Sequence, residues 1–309
     1  MKILITGGAG FIASQVSDAY IEAGHDVVVV DNLCTGYESN INAKVVFYKI
    51  DIRDPKLEVI FEKEKPDIVS HHAAQVSVPY SIEDPIHDTY TNVVGFVNLL
   101  QCSIKHKVKK MIYISSGGAI YGEATEYPTS EEYPPKPLSI YAINKKLGED
   151  YLYFYNQLYG IDYTVLRYAN VYGPRQVSHG EAGVVSIFVE KLLNGEIPTI
   201  NIYEEKSGMI RDYVYVKDVV SANLLALNKG SCKSYNIGTC VETTTLSLFN
   251  EIISILSISV EPTFSAARKG DIRRSLLTND RALRELGWKP SYSLHTGLIE
   301  TIDFFKTRR

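Results

Sequence analysis

Short apolar runs recur along the first half of the chain with helix-like segments between them, and this alternation constrains the fold more than any other feature. The runs are KILIT (2–6), DVVVVD (26–31), VVFYKID (45–51), DIVSHHAA (67–74), KMIYISS (110–116) and YTVLRYANV (163–171). The segments between them that read as helices include 11–23, 55–64, 86–107 and 141–159. A strand that is apolar on both faces must be covered on both faces, and strands separated by helices pair in parallel. The expected fold is therefore α/β, a doubly wound parallel sheet. Beyond about residue 172 the alternation weakens: GPRQVSHGEAGVV reads as a loop, 184–194 and 218–230 as helices, and SYNIGT (234–239) as one more strand. No repeat or low-complexity linker separates a second part, so the two parts are expected to interleave.

The first strand runs straight into TGGAGFIAS, which places Gly7 and Gly10 at a strand-to-helix turn. Glycines there permit a tight turn and let backbone N–H groups approach a pyrophosphate at the positive end of the next helix. A carboxylate, Asp31, closes the second strand 21 residues after Gly10. At that place an acid accepts from both ribose hydroxyls of an adenosine and repels a 2′-phosphate. The joint context predicts a dinucleotide site that prefers NAD to NADP.

A second spacing is suggestive only in company. Tyr141 and Lys145 in SIYAINKK are four residues apart, which on a helix stacks a phenol and an ammonium on one face. A cation beside a phenol favours the phenolate, so the pair could act as a base. With 22 Tyr and 21 Lys in 309 residues, about one or two such pairs arise by chance, and Tyr213 with Lys217 is another.

Composition removes several classes. The net charge is −4 with 22% charged residues, so no concentrated basic face for nucleic acid is expected. No segment reaches the ~18 apolar residues of a membrane span, and the apolar start is too short for a signal peptide. A soluble cytoplasmic protein is the expectation. Cys34, Cys102, Cys232 and Cys240 are scattered without metal-ligand spacing, as expected of thiols in a reducing compartment. His71 and His72 adjoin, but neighbours on a strand point to opposite faces, so no metal site is expected. The tyrosine-rich stretch DYLYFYNQLYG (150–160) reads as an aromatic core or dimer face.

Taken together, Gly7 to Gly10, Asp31, HHAAQ (71–75), SSGGAIYGE (115–123), the Tyr141–Lys145 spacing, LRYANVYGPRQ (166–176), RDYVYVKDVV (211–220), RKGDIRRS (268–275) and LGWKPSYSLHTGL (286–298) resemble the extended short-chain dehydrogenase/reductase family. Within it the likeness is to the UDP-hexose 4-epimerases, and it covers essentially the whole chain. The resemblance implies a Rossmann-type NAD-binding domain at 1–170 and 212–241. It also implies a smaller interleaved α/β domain for a nucleotide sugar at 171–211 and 242–309. It makes Tyr141 and Lys145 the catalytic pair, and Ser116 the catalytic hydroxyl with Ser115 in reserve, because many relatives carry that hydroxyl where this chain has Gly117. On the cofactor it places Gly7, Gly10, Phe11 and Ile12 at the pyrophosphate and Asp31, Asn32, Thr35 and Gly36 at the adenosine. Asp51 and Ile52 fall at the adenine. Ala73, Ala74, Gln75 and Asn92 line the dinucleotide, and Tyr168 lies next to the nicotinamide. On the UDP-sugar it places Asn170, Arg211, Arg268 and Asp271 at the diphosphate and ribose, and Val184, Val185 and Tyr203 at the uracil. Ser275 falls against the sugar pocket, where small residues go with acceptance of N-acetylated sugars. Ala13 departs from the glycine usual at the third small position of the turn, and still permits close packing. A homodimer through helices around 86–107 and 141–159 is implied as well. The alternatives are a UDP-glucuronate 4-epimerase, a sugar-nucleotide dehydratase or reductase, and a non-catalytic NAD-binding sensor.

Overall fold

The computed structural model describes residues 1–177, 183–267 and 271–308. Seven strands form the main sheet: β1 (Lys2–Thr6), β2 (Asp26–Asp31), β3 (Val46–Lys49), β4 (Ile68–His71), β5 (Lys110–Ser116), β6 (Asp162–Tyr168) and β10 (Lys233–Ile237). Their order is β10-β6-β5-β4-β1-β2-β3, and every neighbouring pair is parallel. Alternate side chains sort cleanly to the two faces. Leu4, Val28, Val30, Val69, Met111, Tyr113 and Val165 join one apolar cluster, with Phe61, Phe96, Leu99 and Leu152. Ile3, Ile5, Val27, Val29, Ile112, Ile114 and Leu166 join the other, with Val16, Tyr20, Val219 and Ala222. The doubly wound sheet expected from the apolar runs is the one observed.

On the first face lie α2 (Leu57–Glu64), α5 (Gly95–Lys105) and α7 (Ile140–Tyr159); on the second lie α1 (Phe11–Glu22) and α9 (Val216–Ala226). Short helices α3 (Val78–Glu83), α4 (Pro85–Thr89) and α6 (Gly117–Ile120) sit near the carboxyl ends of the strands. The helix expected at 86–107 is interrupted: a π-helical turn, Tyr90–Val94, joins α4 to α5. The run expected as one strand at 163–171 also divides. β6 ends at Tyr168, Ala169 N donates to Ile237 O (3.0 Å), and β7 (Asn170–Tyr172) pairs in a different sheet. That sheet is β11-β9-β7, with β9 at Ile210–Tyr215 and β11 at Glu242–Thr244. A parallel pair, β8 (Thr199–Ile202) with β12 (Thr263–Ala266), and helices α8 (Val184–Leu193), α10 (Thr245–Leu256) and α11 (Leu294–Thr307) complete this second assembly. It has its own core around Tyr172, Phe188, Tyr215, Leu248, Phe249 and Leu298.

The chain order reverses at β1, so β2 lies on one side and β4 on the other, with Thr6 in register with His71. Ligands of open parallel sheets bind outside the carboxyl ends at this switch point. Two features fix α7 beside it. Gly148 lies so close to Tyr113 that a Cβ would stand 2.1 Å from the phenol oxygen. One residue on, Glu149 meets Arg167 through Nε (3.0 Å) and Nη2 (2.6 Å), both ends being buried. Burial works against the Arg167 cation, but the Glu149 hydrogen bonds and charge overcome it and hold its pKa above the usual value. Ser115 Oγ donates to the same Glu149 (2.6 Å), and Arg167 Nη1 donates to Tyr121 (2.8 Å).

Gly148→Ala gains about 1 kcal/mol of helix propensity but overpacks a closed site, which costs ~1–3 kcal/mol. The net expectation is a loss of about 1 kcal/mol in urea unfolding; a stabilised variant would show that Tyr113 gives way freely. Arg167→Met leaves Glu149 buried without its partner and should cost about 3–5 kcal/mol in the same measurement. A loss below about 1 kcal/mol would mean that water reaches the pair.

Candidate active site

The glycine turn after β1 is tight and closely packed. Gly7 takes φ +70°, its N–H donates to Val30 O (2.8 Å), and Gly10 N donates to Gly7 O (3.0 Å). A Cβ on Gly7 would lie 2.8 Å from Ala73 N, and one on Gly8 would lie 2.6 Å from Val29 Cγ1. No side chain caps the start of α1 at Gly10, so the N–H groups of Phe11 and Ile12 open the positive end of the helix. Asp31 is buried at the end of β2, accepting from Ala9 N (3.0 Å) and Leu33 N (2.7 Å). The loop with Thr35 and Gly36 folds back on the turn, where Tyr37 N donates to Ala9 O (3.1 Å). Asn32 donates to Asp51 (2.7 Å); Arg53 bonds the same carboxylate and lowers its pKa to about 2. Ile52 is buried against Gly95. A bare helix start, a crowded glycine turn and an acid at the second strand end fit a dinucleotide.

Beyond β4, Ala73 abuts the glycine turn and Ala74 leads to Gln75. Asn92 grips the Gln75 backbone twice, accepting from its N–H (2.9 Å) and donating to its carbonyl (3.0 Å).

Ser116 ends β5, and its side chain lies by the Tyr141 phenol, whose pKa it lowers. Tyr141 and Lys145 stand one turn apart on α7, with Lys145 Nζ 5.9 Å from the Tyr141 ring centre and 2.9 Å from Ile114 O. Ser115 faces the other way, toward Glu149. Position 117 has no room for a hydroxyl, because a Cβ there would lie 2.5 Å from Leu277 Cδ1 and 3.1 Å from Arg167 O. The electrostatics differ from the expectation of a phenol ionised by its lysine. Tyr141 keeps part of its surface open, yet desolvation pushes its pKa up to about 12; the Ser116 hydrogen bond lowers it and the Asp88 charge raises it. Burial lowers Lys145 to about 8 against the support of Asp88 and Glu149. In the chain alone, desolvation is the largest influence on the phenol. The Tyr213–Lys217 spacing is not a helical pair: Tyr213 is buried in β9, whereas Lys217 is on α9 and binds Glu300 (2.6 Å).

Residues from the second assembly approach the same cleft. Asn170 Oδ1 is buried with no hydrogen-bond partner and lies 3.4 Å from where a Cβ on Gly118 would stand; Ser275 Oγ lies 4.0 Å from that point. Ser275 is buried, and its N–H donates to Ile210 O (3.0 Å). Arg211 donates to the carbonyls of Ile210 (2.9 Å) and Arg273 (3.4 Å), and burial lowers its pKa. No carboxylate among the described residues forms an ion pair with it. A half-buried guanidinium whose hydrogen bonds, among the described residues, go to carbonyls fits an anion. Tyr203 donates to Asp271 O, and the Arg273 guanidinium lies 4.3 Å from its ring centre. Val184 opens α8, but Val185 is packed in the core, which leaves only Val184 at the surface of that turn. Tyr168 also departs from expectation. Its side chain lies in the core on the face opposite α7, where its phenol accepts from Asn223 Nδ2 (2.6 Å). Arg268 lies outside the described residues. No cluster of three metal-ligating side chains occurs among the described residues.

Three residues were not singled out from the sequence. Glu149 repeats the four-residue spacing beyond Lys145, and Arg167 is a charge inside an apolar strand, so both left a signal. Asp88 is fully buried and accepts from Asn144 (2.7 Å) and Gln75 (2.6 Å). Its burial and partners come from contacts that no local pattern reports.

The family model of the NAD dependent epimerase/dehydratase family matches residues 3–238. A putative UDP-glucose 4-epimerase of Methanocaldococcus jannaschii is 43% identical over 304 residues, 98% of each chain. Among solved structures, a UDP-glucose 4-epimerase of Thermotoga maritima with UDP-glucose is 48% identical. It superposes with a TM-score of 0.97 over 100% of this chain and 99% of the other. A UDP-N-acetylglucosamine 4-epimerase of Methanobrevibacter ruminantium is 33% identical, with a TM-score of 0.93 over 100% and 99%. With a family model spanning most of its length and relatives matched end to end, the chain belongs to the NAD dependent epimerase/dehydratase family.

Proposed function

We propose that the chain is an NAD-dependent UDP-sugar 4-epimerase that interconverts UDP-galactose and UDP-glucose. The observation that carries this reading is the group Ser116, Tyr141 and Lys145 beside a dinucleotide turn, with the unpartnered Asn170 Oδ1 next to Gly118. Gly7, Gly10, Phe11, Ile12 and Asp31 would hold NAD, which when bound supplies a reversible acceptor for the C4′ hydride. Tyr141 takes the proton of the sugar 4′-hydroxyl and later returns it, and Ser116 holds that oxygen. Burial keeps the Tyr141 phenol near 12, so proton removal near neutrality requires positive charge against it; Lys145 and the oxidised nicotinamide provide it. Asn170, Arg211, Arg268 and Asp271 hold the UDP, and the 4-keto sugar turns about its link to the diphosphate. Binding energy must sit on the UDP, because a tightly held sugar could not turn. A dehydratase needs a free acid beside the hydroxyl, whereas the first acid after Ser116 in sequence, Glu123, accepts from Arg273 N.

The segments 1–170 and 212–241 would serve the cofactor, and 171–211 and 242–309 the nucleotide sugar. A homodimer through α5 and α7 accounts for exposed Tyr153, Phe154 and Leu158 on α7 and Tyr90 and Val94 in the π-helical turn before α5. No helix among the described residues is long and apolar enough to cross a membrane. Four free cysteines suit the cytoplasm.

Tyr141→Phe should keep fold and bound dinucleotide while slowing conversion of UDP-galactose to UDP-glucose, without added NAD, by ~10²–10⁴. Activity within about tenfold of wild type would sink the assignment, and Tyr213→Phe, nearly silent, is the control. Small, buried Ser275 beside Gly118 leaves space at the sugar, so turnover of UDP-GlcNAc and UDP-GalNAc is expected too. Ser275→Tyr should suppress the acetylated pair selectively, about 5- to 150-fold, as overpacking a closed site does. Equal loss on both substrate pairs, or no wild-type turnover of UDP-GlcNAc, would refute the gate.

A further inference from the structure

Asp88 joins two parts of the site that are far apart in sequence. Its Oδ1 accepts from Asn144 Nδ2 (2.7 Å) on α7, next to Lys145, and its Oδ2 accepts from Gln75 Nε2 (2.6 Å) in the loop after β4. Asn92, one turn further along and past the start of the π-helical turn, holds the backbone of the same Gln75. π turns inside helices are frequent at functional sites. Gln75 and Asn144 both present NH₂ groups to Asp88, so a group that only accepts satisfies them both, and an amide there would oppose one of them. Asp88 is wholly buried, and no ion pair within hydrogen-bonding reach neutralises it among the described residues. A buried carboxylate in that condition costs folding energy, which calls for a return in function.

We propose that Asp88 is a positioning residue for catalysis. It locks the cofactor-side loop at 73–77 to the helix that carries Tyr141 and Lys145, and supplies a negative charge that compensates the buried ammonium. The proposal rests on the reading of Tyr141 and Lys145 as the catalytic pair. The groups facing Lys145 are Asp88 from α4, Glu149 from its own helix, Tyr113 from β5, Tyr141, the buried His71 at the end of β4 and the half-buried His72 just after it. Glu149 is tied to Arg167 and Ser115, whereas Asp88 is held only by neutral amides. The Asp88 charge raises the pKa of both Lys145 and Tyr141. Removing it therefore moves both limbs of the pH–rate curve to lower pH.

The test uses the holoenzyme and follows UDP-galactose conversion across pH. Asp88→Asn should retain bound dinucleotide and wild-type circular dichroism. Its kcat should fall about 10- to 100-fold, as misplacement of a catalytic group does, with KM nearly unchanged and both limbs shifted to lower pH. The exchange variant Asp88→Asn/Asn144→Asp restores donor–acceptor matching and keeps the charge beside Lys145, so it should recover most of kcat and the original profile. Wild-type kcat and profile in Asp88→Asn, even with a lowered melting temperature, would overturn the proposal. So would an exchange variant that folds but stays as slow as the single variant. If neither folds, Asn144→Ala decides: it keeps the charge and cuts one arm, and must lose kcat, while wild-type kcat there refutes the proposal. Tyr141→Phe in the same assay judges the parent reading separately. An active Tyr141→Phe sinks the catalytic pair itself; an inactive one beside an unaffected Asp88→Asn sinks only the role of Asp88.

Discussion

The ammonium of Lys145, buried under the carboxyl edge of the sheet, is the constraint that much of this architecture answers. Burial lowers its pKa to about 8, against the support of the flanking acids Asp88 and Glu149. It therefore remains mainly charged at neutral pH. The folded state binds this proton less tightly than the unfolded chain. Below pH 8 the full cost of the buried charge is present, and it fades as pH rises from 8 toward the ordinary lysine value near 10.5. A chain selected only for stability would not keep such a group there. The close approach of Gly148 to Tyr113, the Glu149–Arg167 pair and the amides around Asp88 all serve to keep α7 where this cation meets Tyr141.

The two histidines illustrate the same economy of charge. His71 stacks on Phe96 with ring centres 4.9 Å apart and exchanges a hydrogen bond with Thr6 (2.8 Å), while His72 meets Ser70 (3.0 Å). Burial and the Lys145 charge keep both neutral, His72 falling to about 3. One buried cation thus excludes others from its surroundings, and the adjoining histidines become packing groups. The opposition of their side chains across the strand was legible in HHAA, and the reason for their neutrality was not.

What the sequence makes legible is what obeys a local rule. Apolar runs gave the seven parallel strands because a sheet covered on both faces needs them. The glycine turn and Asp31 were readable because their spacing is set by one strand, one turn and one helix. Failures fall where distant contacts override local pattern. YTVLRYANV reads as one strand, but Ala169 is captured by Ile237 and the chain changes sheet there. Tyr168 was assigned by motif, yet strand alternation sends its phenol to Asn223 on the opposite face. Tyr141 and Lys145 were picked out by their spacing together with the family resemblance, while the pKa of the phenol is decided by desolvation, which no motif encodes. Asp88 and Asn144 are 56 residues apart and meet only in the folded chain.

The placement of the hydroxyl shows how the second assembly reaches into the first. Leu277 occupies the space that a side chain at 117 would need, which leaves the hydroxyl beside Tyr141 to Ser116 at the end of β5. Leu277 is itself set by long-range bonds. Its N–H lies 3.4 Å from Asp212, which also takes the N–H groups of Thr239 and Cys240, and Thr129 bonds both neighbours of Leu277, at Leu276 and Thr278. Ser275, two residues earlier, is fixed to Ile210 and turns its hydroxyl toward Gly118. One strip of chain thus determines where the hydroxyl beside Tyr141 can stand and how much room lies next to it. A change at Ser275 should alter which sugars fit before it alters whether the chain folds, because its hydroxyl borders Gly118 at ordinary contact distance, where spare volume is the property in use, whereas Leu277 is packed tightly on Gly117.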